Sequence, residues 1–549
     1  MKKIKFGNKE IYPFTIPSGI ITTEVSTIEK YAREIPELGI ITTKTIGPEP
    51  RPGNIEPILH QYEPGSFVNA VGLKNPGCKA FAEKLENISF PEDKYLLISI
   101  MGACIEDFCH VIKTLNKYAD GFELNLSCPH AKGYGQQIGE DPKLVYEIVK
   151  AVTNVTSKEV FAKLSPNVDD IALIAEAAMK GGAYGITAIN TVGPDLIKTN
   201  NDEPILSNKV GGRSGLSTLP IGLDAVKQIT TKLGNIPILG MGGIRSADDV
   251  RAYQKSGACF FGIGSALAGL DDHEIIKYFR TLAQDIENNS NHAHDQLTTI
   301  DMSYIRTKIT KKIDCSPDFK IIEFDLHLKA KPAEFIFVWL PGIAEKPFSI
   351  LNDAPLTLAI QERGGCTKAI NALNKGDEVY IRGPHGKGLT KLTSKHLVLV
   401  GGGSGIAGLY LFAKHFSSTH KITALLGAKD KEHIFYQNEF SKLGSVHIAT
   451  EDGSLGTKGY VTQLFNDLSL DSDVCFLNCG PKPMIDAVIE IQSEITAKEK
   501  ILSSIDYLTM CGVGICGSCA DNKGTRSCVS GPFLSVASPA NGVPLCGDR

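Results

Sequence analysis

Eight short apolar runs fill about the first 265 residues, with helix-like sequence between most of them, and they restrict the fold of this 549-residue chain more than any other feature. They read PFTIPSGI, GIITTKTIG, YLLISIMG, GFELNLSCP, VFAKLSP, GITAINTVG, IPILGMGGI and CFFGIGSAL. Strand-length apolar segments alternating with helical ones predict an α/β fold that closes as a (β/α)8 TIM barrel. In such a barrel chemistry sits at the C-terminal ends of the strands, and there the runs place Lys44, Asn125, Cys128, Lys163 and Asn190. The last two runs end in Gly242 and Gly243, and in Gly264 and Ser265. Bare backbone N–H groups in those loops suit a phosphate. The GGRSG stretch ending at Gly215 reads either as a mobile loop or as a further cofactor contact.

Composition narrows the partners. A formal net charge of −4 gives no basic field for nucleic acid or an anionic membrane, and 42% hydrophobic with 21% charged residues is ordinary globular usage. MKKIKFGNKEIYPF begins with lysines but has no apolar core of a secretory leader. HLVLVGGGSGIAGLYLF is too short and too rich in glycine for a span, which needs about 20 apolar residues. The expected location is therefore the cytoplasm, with small molecules as partners. Fourteen cysteines in a reducing compartment read as thiols, ligands or catalysts, and scattered ones such as Cys78, Cys259 and Cys475 as small buried hydrophobes.

From about residue 283 the chain turns polar, and a boundary is expected near 300. The expected domains are 1–290, a linker over 291–300, then 301–394, 395–500 and 501–549. KIIEFDLHL, EFIFVWL, LTLAIQER and DEVYIRGPHG predict a small antiparallel barrel. HLVLVGGGSGIAGLYLFAKH then passes from strand through Gly403, Gly405 and Gly408 into helix, the context that a dinucleotide pyrophosphate requires. No acidic residue is clearly placed to read a ribose hydroxyl, so NAD and NADP stay open here.

Near the C-terminus Cys511, Cys516 and Cys519 are separated by four and then two residues, and Cys528 follows after eight more. That is the plant-type iron–sulfur spacing, and the interleaved glycines let backbone amides turn toward sulfur. Tetrahedral zinc is the alternative for four thiolates. The gaps favour [2Fe-2S], and Cys546 is left over as structural or free. A cluster passes single electrons and a nicotinamide takes hydride, so a flavin is expected between them, with a second phosphate-bearing cofactor on the large barrel.

These residues together resemble the NAD-linked dihydroorotate dehydrogenases. Residues 1–300 resemble the catalytic subunit through NAVGLKNPG, ELNLSCPH, KLSPNV, INT, GMGGI and GIGSAL. Residues 301–549 resemble its electron-transfer subunit, a ferredoxin-reductase-like module with a [2Fe-2S] domain, through KPFSI, GGCTKAI, GPHGKG, EDGSLGTKG, NCGPKPM and the cysteine run. The resemblance implies a fusion of two subunits that oxidises dihydroorotate to orotate in pyrimidine biosynthesis, with electrons passing from FMN through [2Fe-2S] and FAD to NAD+. It implies Cys128 as the base that takes the C5 proton. Lys44, Asn69, Asn125, Asn190, Thr191 and His130 would face the substrate, asparagine being able both to donate and to accept. Ser18, Lys44, Thr45, Asn125, Lys163, Gly215, Gly242, Gly243, Gly264 and Ser265 would hold FMN. Lys346, Pro347, Ser349, Gly365 and Thr367 would hold FAD. Gly403, Gly405, Gly408, Cys479 and Gly480 would hold NAD, and a homodimer through the barrels is expected. Two positions depart from the pattern: His130 stands where the family usually has asparagine, and Lys346 where the flavin motif normally has arginine. The first leaves an NAD-linked dihydropyrimidine dehydrogenase as an alternative, and an electron-transfer module with a non-catalytic barrel is a separate one. The second keeps the charge and loses the planar fork.

Overall fold

All eight apolar runs become parallel strands: β1 (Phe14–Ile16), β2 (Leu38–Thr42), β3 (Tyr95–Ile100), β4 (Gly121–Asn125), β5 (Glu159–Leu164), β6 (Gly185–Ala188), β7 (Ile238–Met241) and β8 (Phe260–Gly262). Each pairs with its neighbours in sequence and β8 pairs with β1, so the sheet closes. Parallel strands covered on both sides are apolar throughout rather than alternating, which is why the runs are continuous. The helices around them are amphipathic. Helix Ile105–Leu115 buries Phe108, Val111, Ile112 and Leu115, one face at helical spacing, and each such side chain contributes roughly 1.5–3 kcal/mol of apolar burial. Helix Asp272–Asn288 starts at a capping box in which the Asp271 and Glu274 side chains bond each other's backbone N–H.

The computed structural model describes residues 2–7, 9–126, 136–470, 472–504 and 508–537. It divides the chain into two units, residues 1–301 with 513–526, and residues 302–512 with 527–549. Among the described residues no helix is long and apolar enough to cross a membrane.

In the first unit a hairpin of Ile4–Phe6 and Lys9–Ile11 plugs the barrel end where the strands begin. The buried Phe6 ring lies edge-on to Tyr95 and Phe260 at 4.3 and 4.5 Å and stacks on Phe161 at 5.2 Å. The opposite end carries a four-stranded antiparallel sheet of Leu59–Glu63, Ser66–Asn69, Val192–Leu196 and Val210–Gly215, built from the loops after β2 and β6. The GGRSG stretch is thus a paired strand, which removes the reading of it as a mobile loop.

The second unit holds two sheets. Strands Ile305–Ser316, Phe319–Phe324, Phe335–Leu340, Ala344–Ser349, Leu356–Gln361 and Glu378–His385, with the two-residue strand Asn352–Asp353, form a seven-stranded sheet whose pairs are all antiparallel. The strands expected from sequence are present. They pair antiparallel throughout, as expected of the small antiparallel domain. The second sheet runs parallel through β9 (His396–Gly402), β10 (Lys421–Ala428), β11 (Ser445–Thr450), β12 (Val474–Cys479) and β13 (Ile501–Ser504), in the order β11-β10-β9-β12-β13, with a short strand at either edge. After β9 the glycine-rich turn begins as a 3-10 helix over Gly403–Leu409 and continues as α-helix Tyr410–Phe416.

Candidate active site

The open end of the barrel encloses a cavity in the first unit. The expected polar side chains Ser18, Lys44, Thr45, Asn69, Asn125, Lys163, Asn190 and Thr191 all line it, and so do Gly215, Gly242, Gly243, Gly264 and Ser265. Each reaches the cavity because it ends a strand or begins the loop after it. Asn190 Nδ2 donates to Asn125 Oδ1 at 3.1 Å, and Asn125 Nδ2 donates to Thr45 Oγ1 at 3.3 Å. Lys163 Nζ donates to Ser18 Oγ at 2.9 Å and pairs with Glu123 Oε1 at 3.4 Å. On the opposite wall Asn69 Nδ2 donates to the Gly212 carbonyl at 3.2 Å.

The glycine side of the cavity fits a phosphate group. Gly242 and Gly243 have φ of 124° and 78°, a backbone that L side chains rarely adopt, and a Cβ on Gly243 would lie 2.7 Å from that of Leu219. Tyr253 donates its hydroxyl to the Gly242 carbonyl at 2.9 Å and so fixes the turn, leaving its N–H groups to an anion. Lys44 and Lys163 supply positive charge on the polar wall.

Residues 513–526 belong to this same unit, and Ile515 and Cys516 form part of the cavity wall. The segment is bonded to the barrel through backbone: Ile21 N–H donates to the Ile515 carbonyl and Thr23 Oγ1 to the Cys516 carbonyl, both at 2.6 Å. Beneath it the fully buried Arg526 donates to Asp272 Oδ1 at 2.8 and 3.0 Å and to the carbonyls of Gly514 and Leu270 at 2.9 and 3.0 Å. Lys30 Nζ and Tyr31 OH reach the same carboxylate, each at 2.6 Å. Burial works against the Asp272 carboxylate, but Arg526 and Lys30 outweigh it and hold its carboxyl below the ordinary range.

Cys516 and Cys519 in the first unit are buried, at 8% and 1% exposure, and so are Cys511 and Cys528 in the second, at 1% and 2%. Gly512, Gly514, Gly517 and Gly524 between them have positive φ. Among the described residues no three His, Cys, Asp or Glu side chains converge on a single-ion site. In the second unit Arg382, 1% exposed, grips Glu345 with both nitrogens at 2.7 Å, lies 3.9 Å over the Phe337 ring and donates to the Cys511 carbonyl at 3.0 Å. Burial disfavours its charge, and Glu345 more than compensates, so the guanidinium is held above its usual range.

A second cavity lies in the second unit, lined by Gly402, Gly403, Gly427, Glu451, Pro481 and Met484 among others. Gly403 faces open space, as a pyrophosphate would require. The remaining expected nucleotide residues pack the turn instead of lining the cavity. A Cβ on Gly405 would press on the Cys479 carbonyl, one on Gly408 would lie 3.2 Å from Cys479 Sγ and 3.5 Å from Ser349 Oγ, and one on Gly480 would lie 3.2 Å from Gly402 Cα. Lys346, Pro347 and Ser349 sit on strand Ala344–Ser349, while Gly365 and Thr367 open helix Gly365–Ala372. There the backbone N–H groups of Arg363 and Gly364 donate to Thr367 Oγ1 at 2.9 and 3.1 Å, and Gly364 and Gly365 face open space.

Cys128, His130 and Cys546 lie outside the described residues. Four residues escaped the sequence reading. Glu123 is fully buried under Lys163, and the period-two alternation of GFELN, which puts it on the same strand face as Asn125, could have flagged it. Glu451 follows β11 on the wall of the second cavity. Arg526 and Asp272 are far apart in sequence and carried no signal.

Comparison with known proteins gives a consistent picture. Residues 2–285 match the family model described as dihydroorotate dehydrogenase, and residues 399–490 match that of the oxidoreductase NAD-binding domain. The chain is similar to the catalytic subunit of dihydroorotate dehydrogenase B (NAD(+)) from Pyrococcus horikoshii, at 44% identity over 48% of this chain and 84% of the relative. The corresponding subunit from Methanocaldococcus jannaschii is 40% identical over 48% of this chain and 85% of its own length. A solved structure of an NADH-dependent reduced ferredoxin–NADP oxidoreductase aligns over 42% of this chain and 87% of its own at 25% identity, with a TM-score of 0.37, a likeness too low to say more.

Proposed function

The chain belongs to the dihydroorotate dehydrogenase family, and from that premise we propose that it oxidises dihydroorotate to orotate in pyrimidine biosynthesis and passes the electrons to NAD+ within one polypeptide. The balance is dihydroorotate plus NAD+ giving orotate, NADH and a proton: C5 loses a proton, C6 loses a hydride equivalent, and a C5=C6 double bond forms. The observation that carries the reading is the barrel cavity. It gathers the asparagines, the lysines and the glycine turn around one space and includes Cys516 in its wall.

In this reading Asn69, Asn125, Asn190 and Thr191 hold the ring's amide edges, and Lys44 faces the carboxylate. Cys128 takes the C5 proton. Lys163 presents positive charge where negative charge accumulates on reduction, and the turn of Gly242, Gly243, Gly264 and Ser265 binds a phosphate through N–H groups. Strand Ala344–Ser349 and the start of helix Gly365–Ala372 hold the second flavin, Gly403 faces the nicotinamide dinucleotide, and the four thiols hold [2Fe-2S]. When bound, FMN accepts hydride, the cluster carries single electrons and FAD returns hydride to NAD+, which converts between the two kinds of carrier. The proposal includes the division of labour into 1–290 for FMN, 301–394 for FAD, 395–500 for NAD and 501–549 for the cluster, and a homodimer through the barrels in the cytoplasm.

The test is steady-state NADH formation by the purified protein from dihydroorotate and, in parallel, from dihydrouracil. Cys128→Ala should abolish dihydroorotate-dependent NADH formation by about 10²–10⁴-fold while leaving NADH-driven dye reduction intact. Faster turnover of dihydrouracil, or dihydroorotate oxidation that survives in Cys128→Ala, would overturn the proposal.

A further inference from the structure

Beneath the cavity floor a row of hydrogen bonds runs from the substrate asparagines to a carboxylate no ligand can reach. Glu123, on β4, is fully buried. Its Oε1 accepts from Ser99 Oγ at 2.9 Å and from Lys163 Nζ at 3.4 Å. Ser99 Oγ and Thr45 Oγ1 lie 3.0 Å apart, Asn125 Nδ2 lies 3.3 Å from Thr45 Oγ1, and Asn190 Nδ2 lies 3.1 Å from Asn125 Oδ1. Ser99 and Thr45 are themselves buried.

The geometry alone does not say which hydroxyl donates to which, but the chemistry of the end group does. A carboxylate has no proton to give, and the Lys163 ammonium beside Glu123 keeps the pair complementary. Ser99 therefore donates to Glu123, and a hydroxyl has one hydrogen. Ser99 Oγ must then accept from Thr45, Thr45 has spent its own hydrogen, and its oxygen must accept from the Asn125 amide. Asn125 is held with its nitrogen toward the barrel interior and its carbonyl oxygen toward Asn190. Reversing any one bond would leave two donors or two acceptors face to face among buried groups. Glu123 Oε2 makes no hydrogen bond among the described residues.

We infer that Glu123 is a positioning residue with two separable effects: through Ser99 and Thr45 it fixes the donor and acceptor sense of the Asn125–Asn190 pair that reads the substrate, and through Lys163 it tempers the positive charge offered to the flavin. The inference rests on the proposed function, because it takes the barrel cavity to hold flavin and orotate. It also explains why the substrate wall and the flavin lysine share one carboxylate: both are oriented by a group that neither ligand touches.

Two variants of the holoenzyme separate the effects. Ser99→Ala breaks the row of hydroxyls and leaves Glu123 beside Lys163. Glu123→Gln keeps an acceptor oxygen for Ser99 and removes the charge. The readouts are the dissociation constant of orotate, followed by the perturbation of flavin absorbance, and the two-electron midpoint potential of the barrel flavin. Ser99→Ala should weaken orotate about three- to tenfold, one net hydrogen bond, with the potential unchanged. Glu123→Gln should raise the potential by about 30 mV, a tenfold shift of the two-electron equilibrium toward reduced flavin, with orotate affinity changed less than about threefold. Ser99→Thr, which keeps the hydroxyl, should hold orotate within about twofold of the parent, and this pair decides the relay even where Glu123→Gln does not accumulate as folded protein. Parent values in Ser99→Ala, or parallel shifts of both readouts in every variant as general loosening would give, would overturn the inference. Failure of the underlying functional reading looks different: the unmodified protein would show no flavin perturbation by orotate at all.

Discussion

Replacing Arg526 by methionine should release residues 513–526 from the barrel. The guanidinium is fully buried and makes two bonds to Asp272 and two to backbone carbonyls. Removing one partner of a buried pair costs about 3–5 kcal/mol, because the other charge stays buried. Here Lys30 and Tyr31 remain on Asp272, which points to the low end. The carbonyls of Gly514 and Leu270 lose their donor, adding roughly 1 kcal/mol. The total of about 4 kcal/mol corresponds to a nearly thousandfold rise in the opened population of the segment, at tenfold per 1.4 kcal/mol. Asp272→Asn should be worse, since it leaves Arg526 and Lys30 as two buried cations around a neutral amide. Hydrogen exchange by mass spectrometry on peptides covering 513–526, and on those carrying the Ile21 and Gly269 amides that donate into the segment, reads the change directly. The Arg526→Met, Asp272→Asn double variant should recover about 2 kcal/mol relative to additivity. Exchange within threefold of the parent in Arg526→Met would refute the argument that this ion pair holds the segment down.

Asp285 accepts from Ser290 Oγ at 2.6 Å, His292 Nδ1 at 2.9 Å and Ala293 N at 2.6 Å. Burial opposes its charge, but these donors prevail and lower its carboxyl to about 2. The resulting stability is fully present above the ordinary carboxyl range near 4 and is lost as pH falls toward 2, so Asp285→Asn should lower barrel stability at pH 7 by about 2 kcal/mol and flatten the acid limb of a thermal-shift profile. Gly405→Ala should destabilise the nucleotide fold by about 1–3 kcal/mol, measured as a lower melting transition, because its methyl group would press on the Cys479 carbonyl. Glu451→Arg should shift nucleotide preference toward NADP+ by about fivefold, the effect of roughly 1 kcal/mol per charge pair in water, read from the ratio of kcat/KM values for the two nucleotides; an unchanged ratio would place the ribose elsewhere.

The barrel was legible because its strands are buried on both sides and announce themselves as unbroken apolar runs, and the polar residues that end them could be read as cavity lining. The four-stranded sheet at the mouth was not. VGPDL and VGGRSG are half-exposed, and only pairing with each other and with Ser66–Asn69 makes Val210–Gly215 a strand. Glu123 hid for the opposite reason: a single carboxylate inside an apolar run has no local partner, and Ser99 and Lys163 reach it from two other strands. Glu451 was invisible because only the laying of β11 beside β10 brings it to the wall of the second cavity. The cysteine spacing spoke clearly of a cluster, yet nothing in it announced that residues 513–526 would be counted with the barrel, since that depends on Arg526 finding Asp272 more than two hundred residues earlier.

The central claim is that a single chain carries electrons from a substrate site in the barrel to a nicotinamide. Anaerobic titration of the purified protein with dihydroorotate, following flavin absorbance and the paramagnetic signal of a reduced cluster together, tests it most directly. The account predicts that both change in step, that NAD+ restores them, and that each chain contains one FMN, one FAD and two irons. Flavin absorbance untouched by dihydroorotate, or zinc in place of iron with one flavin per chain, would contradict it.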